Sequence, residues 1–183
     1  MTDSRASTAG LKRSRCPICR IRRSRAGVPS ALAKAERYRL LNEPGEAESI
    51  CLDVLRLEPE HAQALVMLLL ALTDQFDERL MAALPRAREV LPRLRDAYER
   101  AYYAGIVSER RAKAQMRAGT LGARHAAHDS FREAMDWYEK AEALRPPGND
   151  DALLRWNTCA RILMRNPELR PRGDEAFEPA LED

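Results

Sequence analysis

From position 29 onward, apolar residues recur at three- and four-residue spacing, the period of a helix with one buried face. Leu32, Ala35, Tyr38 and Leu41 form such a face over 30–41, with Ser30 in the place of an N-cap. Pro44 and Gly45 then mark a turn at 42–45, where one helix breaks and another begins. Ala47, Ile50, Cys51, Val54 and Leu57 predict a second helix over 46–57, closed by Pro59. Two more helices follow at about 60–75 and 77–91, and then one long helix over 94–117, ended by Gly119 and Gly122. Ser130 with Glu133 three residues later has capping-box spacing, so the next helix is predicted to open there. Its apolar face runs through Phe131, Ala134, Met135, Tyr138, Ala141 and Leu144, and residues 123–129 are left as the connection. A last helix is predicted over 151–165, with Leu153, Leu154, Trp156, Ala160 and Leu163 facing inward.

This division leaves two flanks. Residues 1–28 mix Ser, Arg, Gly and Pro without periodicity and read as a disordered basic arm. Residues 166–183 are Pro-rich and acidic and read as a frayed tail. The helical domain is therefore expected at 29–165.

The unit of helix, turn, helix and proline recurs. Pro59 and Pro92 stand 33 positions apart, and Pro146 lies one such period plus an insertion of about 20 residues further on. Within the first unit, Tyr38, Ala47, Val54 and Pro59, with Ala35 in the slot for a small residue, resemble the tetratricopeptide-repeat pattern. Ala134, Tyr138, Ala141 and Pro146 resemble it again in the third unit. The middle unit departs from it, carrying Leu68, Leu69 and Leu72 where small and aromatic residues are expected, with Pro85 interrupting its second helix.

The resemblance covers about residues 29–165. It implies an all-α, right-handed solenoid of about three helical pairs with a C-terminal capping helix. In that arrangement small residues such as Ala35 and Ala47 let paired helices approach, while Tyr38 and Tyr138 fill the gap between them. One pair cannot bury its own apolar face, so neighbours must stack. The first helix of each pair would line a concave groove for a peptide or protein partner, and alignment places Glu36, Arg39, Gln63, Asp74, Tyr103, Arg110, Asn157 and Arg161 along it. The groove faces at Leu32, Glu36, Val66 and Leu70 lack the paired Asn and Lys of chaperone-tail binders.

Composition agrees with the all-α class, because Ala, Leu, Arg and Glu dominate and aromatic residues are only 5%. The longest apolar run, Leu65 to Leu72, is far short of the roughly 20 residues of a membrane span, and no secretory leader opens the sequence, so a cytosolic protein of bacterial type is expected. Charge is uneven along the chain. Residues 1–30 hold eight basic side chains against Asp3 alone, which leaves 23 basic and 27 acidic for the rest. That arm suggests salt-sensitive phosphate contacts, but no aromatic residue interleaves it to stack on bases.

Candidate chemistry is sparse. Cys16 and Cys19 form a Cys-x-x-Cys pair, which is two of the four ligands a structural zinc requires. Cys51 and Cys159 fall among apolar neighbours and are expected in the core as reduced thiols. His128, Asp129 and Ser130 have the residue types of a catalytic triad, but consecutive helical positions point in different directions. No phosphate-cradling glycine loop is present. Tyr98, Tyr102 and Tyr103 crowd the long helix with Glu99, Glu109 and Arg110, the tyrosines serving either packing or an interface, and the charges read as solvated. The expectation is a non-enzymatic scaffold or adaptor without a cofactor. Alternatives are a nucleic-acid-associated protein acting through the arm and a secretion-type chaperone.

Overall fold

A computed structural model describes residues 25–170. Seven helices follow one another: α1 (Val28–Leu40), α2 (Pro44–Leu57), α3 (Ala62–Asp74), α4 (Phe76–Val90), α5 (Ala97–Ala118), α6 (Leu121–Glu142) and α7 (Asp151–Arg165). Short 3-10 turns occupy Arg25–Gly27, Leu91–Arg93 and Pro167–Leu169, and no strand occurs among the described residues. The Cys16/Cys19 pair, nearly all of the basic arm and most of the acidic tail lie outside the described residues. No described helix is long and apolar enough to cross a membrane.

Each helix packs on its sequence neighbour, and α3 also touches α1 and α5. Small residues set the close approaches: Ala35, Ala47, Ala64, Ala71, Ala87, Ala112, Ala134 and Ala141 are all completely buried. The core has two lobes. One gathers α1 to α4 with Leu94 and Val107, and the other gathers α5, α6 and α7 around Phe131 and Tyr138. Leu70 and Tyr103 pack against both and form the seam.

Local signals explain most boundaries. The His61 ring accepts the Ala64 N–H at 3.3 Å, Asp96 accepts that of Glu99 at 2.8 Å and Thr120 accepts that of Ala123 at 3.3 Å, capping α3, α5 and α6. Gly119 closes α5 at φ +73°, a left-handed position that glycine occupies without a Cβ clash.

Several expectations are corrected. Ser30 does not cap α1, which begins two residues earlier with Pro29 in its first turn; Pro44 likewise is the first residue of α2, not part of the turn before it. Proline lacks only an N–H that a helix start leaves unpaired anyway. Ser130 is no cap either. It is buried inside α6, and its hydroxyl bonds Gln115 Oε1 at 2.8 Å. Gly122 and residues 123–129 are helical, so the extra residues of the third unit lengthen both of its helices to 22 residues instead of forming a loop. In the second unit, the irregular residue of α4 is Arg79, while Pro85 continues in the helix on its exposed side.

Five side chains face otherwise than expected, the first being Leu41, which is 63% exposed at the C-cap of α1. Tyr38 is 37% exposed and fills no gap, whereas Tyr138 is fully buried as expected. Leu144, Leu153 and Leu154 are exposed; Ala152 and Cys159 are the buried residues of α7. Beyond Asn166 the chain does not fray at once, since Leu169 packs into the second lobe at 2% exposure.

Candidate functional site

Three of the residues aligned to the groove meet. Arg39, in the last turn of α1, donates from Nε to Asp74 Oδ2 at 2.6 Å. Arg110, at mid-length of α5, donates to the other oxygen of the same carboxylate. Its guanidinium also reaches Thr73 Oγ1 at 2.7 Å and the Leu70 carbonyl at 3.3 Å. Asp74 is the final residue of α3, where its charge opposes the negative end of the helix dipole. The two guanidinium groups offset that repulsion, and Arg110 shares the Leu70 carbonyl with the Thr73 hydroxyl, which donates to it at 2.9 Å. All three side chains are between 18% and 25% exposed, so the pairs are partly shielded from water but open at one edge.

Tyr103 stands two turns before Arg110 on α5 and packs against both lobes. Its hydroxyl is pushed up to about 12, first by burial and then by Glu99 and the neighbouring tyrosines, with Arg39 acting in the opposite direction. It therefore stays a neutral phenol at physiological pH. Tyr102 meets Tyr103 edge-on at 5.2 Å and stacks on Tyr98 at 5.8 Å, and Tyr98 in turn donates to Asn149 Oδ1 at 3.1 Å.

The other aligned residues stay apart from this centre. Glu36 is exposed on α1, Gln63 is exposed in the first turn of α3, Asn157 is half-buried and Arg161 exposed on α7. None of the four makes a side-chain hydrogen bond among the described residues. Gln63 lies at the opposite end of α3 from Asp74, about 16 Å away along the helix axis.

A second charged centre was missed in the sequence. Glu109 was read as solvated, yet its side chain is fully buried, 0% exposed. It accepts from Tyr138 Oη at 2.6 Å, Lys113 Nζ at 2.5 Å and Arg155 Nη1 at 3.3 Å, joining α5, α6 and α7. Burial pushes its pKa upward, but the bonds from Lys113 and Tyr138 and the Lys113 and Arg155 charges outweigh it and hold the carboxyl below its ordinary value. The signal was present in the spacing: Ala101, Gly105, Glu109 and Ala112 fall on one helical stripe, so the one charged residue in it had to be buried.

The remaining chemical candidates have structural duties. Ser130 points to Gln115 and not to His128, whose ring lies 3.4 Å from the exposed Asp129 carboxylate. Cys51 and Cys159 are buried free thiols, each pushed up to about 12 mainly by burial. No group of three or more His, Cys, Asp or Glu among the described residues is placed to hold a metal. No family model, curated protein or solved structure matches this chain.

Proposed function

We propose that the chain is a cytosolic, non-enzymatic adaptor of tetratricopeptide-repeat type, binding a peptide or protein partner along the face shared by α1, α3, α5 and α7. The observation that carries this reading is the Arg39–Asp74–Arg110 chain. It ties together one residue from each of the first three odd-numbered helices, which supports reading them as neighbours on one face. Two further features support it. Each helix packs on its sequence neighbour, and fully buried alanines stand on the packed faces, as stacked helical pairs require. The proposed face also mixes pinned side chains with exposed ones that lack partners among the described residues, Glu36, Gln63 and Arg161. Pinned arginines and a rigid tyrosine lower the ordering cost of binding, while exposed polar groups supply selectivity.

The test uses the full-length chain and a Glu36→Arg, Arg161→Glu variant, both positions being exposed and remote from the core. Affinity capture followed by mass spectrometry should identify a partner retained by the native chain, and titration of that purified partner should show at least tenfold weaker binding to the variant. Equal affinity for both proteins refutes the groove.

A further inference from the structure

The C-terminal halves of α5 and α7 leave an open cleft of about 310 Å³, lined by Lys113, Met116, Arg117, Ile162, Arg165 and Asn166. That volume is at the lower end of ligand clefts, which span about 300–1,000 Å³, and it suits one aromatic side chain with its flanking residues. The floor is apolar, made by Met116 and Ile162, and the rim is cationic. Lys113 and Arg117 already hold Glu109 and Asp77, whereas Arg165 has no ion-pair partner among the described residues. Arg161, one turn before it on α7, is also without one. The two helix C-termini contribute about half a negative charge each. The unpaired cations exceed that, so the rim stays net positive.

The chain itself supplies a complementary segment. Residues 171–183 hold five acidic side chains against Arg172 alone, and a single aromatic residue, Phe177, sits among them between Glu175 and Glu178. This segment starts beside the cleft: Asn166 is part of the lining, and Leu169 is anchored in the second lobe three residues before Arg172. Thirteen residues reach up to about 40 Å when extended, several times what the cleft requires. A tether this short gives an effective concentration in the millimolar range, so even a weak contact is largely formed.

We propose that residues 171–183 occupy this cleft within the same molecule, with Phe177 set on Met116 and Ile162 and its acidic neighbours facing Arg165. Sulfur and aromatic ring make a favourable pair, and Phe177 removes the apolar floor from water. The inference concerns the chain's own tail and stands whether or not the shared helix face binds a partner.

The experiment uses the full-length protein with Phe177→p-benzoylphenylalanine, irradiated in dilute solution, digested and mapped by mass spectrometry. The expected result is a crosslink within one chain to Met116 or Ile162. Its yield should fall at least roughly fivefold in an Arg165→Glu background, and fall again when salt is raised from 50 to 500 mM, as for a part-exposed ion pair. Arg165 is exposed, so an unchanged melting temperature shows that the variant is folded. A Glu175→Gln, Glu178→Gln tail in the otherwise native chain should lower the yield in the same direction. Crosslinks elsewhere on the molecule, crosslinks between chains, no crosslink at all, or a yield indifferent to Arg165→Glu would each overturn the proposal.

Discussion

Gly105 is a helical glycine whose absent side chain is occupied by another residue. A Cβ built there stands 2.4 Å from Tyr138 Cε1, 2.7 Å from Cδ1 and 2.9 Å from Cζ. Carbon atoms rest at about 3.5–4.0 Å, so the ring must retreat by an ångström or more. It has little room to do so, because Tyr138 is fully buried and its hydroxyl is held by Glu109 at 2.6 Å. Overpacking of this kind costs about 1–3 kcal/mol, and loosening a hydrogen bond to a buried carboxylate adds about 1.5–3 kcal/mol if the ring swings away. Alanine returns about 1 kcal/mol through its better helix propensity. The net expectation for Gly105→Ala is a loss of about 2 kcal/mol, or roughly 4–8 °C in melting temperature for a domain of this size. Urea unfolding followed by circular dichroism and by the fluorescence of Trp137 and Trp156 measures it. Two controls isolate the cause. Gly122→Ala, where nothing lies within 4 Å of the added methyl, should be neutral or slightly stabilising. In a Tyr138→Val background the Gly105→Ala penalty should vanish, because the colliding ring is gone. A Gly105→Ala protein as stable as the native one would refute the docking of Tyr138 on Gly105.

Removing the Asp74 charge with Asp74→Asn leaves two part-buried guanidinium groups facing each other, and should cost about 1–2 kcal/mol of unfolding free energy in the same assay. Glu109 makes stability depend on acid: its folded pKa lies below the ordinary 4.5, so its contribution is full above that value and is lost as pH falls through the depressed one. Melting temperatures between pH 6 and 3 should therefore drop more steeply for the native chain than for Glu109→Gln, and parallel curves would contradict the buried ion centre. With Cys16→Ser and Cys19→Ser in place, the two remaining thiols should resist a disulfide reagent at pH 8 until urea unfolds the protein, because both are buried and carry almost no thiolate.

Much of the fold was readable because helices are local. The apolar spacing of α2 and the left-handed glycine after α5 are decided within a few residues, and the bounds predicted for the last helix, 151–165, coincide with Asp151–Arg165. The burial of Ala35, Ala47, Tyr138, Cys51 and Cys159 followed from the same periodicity. Boundaries set by competition were not readable. Ser130 has the chemistry of a cap, but Thr120 directly after Gly119 offers an earlier start, and Ala-rich residues 123–127 let the helix run through. The repeat resemblance also placed Tyr38 between helices, although its helix turns that ring toward water.

The candidate site divides along the same line. The repeat resemblance put Arg39, Asp74 and Arg110 on helices expected to lie side by side. Only tertiary structure could decide that one carboxylate would hold both arginines while Glu36, Gln63 and Arg161 met no partner among the described residues, since residues 35 and 36 positions apart meet only when the helices stack. The same holds for Glu109, whose three partners lie 4, 29 and 46 residues away. Sequence determined which faces are apolar, because that depends on a period of 3.6 residues. Which partners a buried charge meets depends on the distance between helices, and no local pattern encodes it.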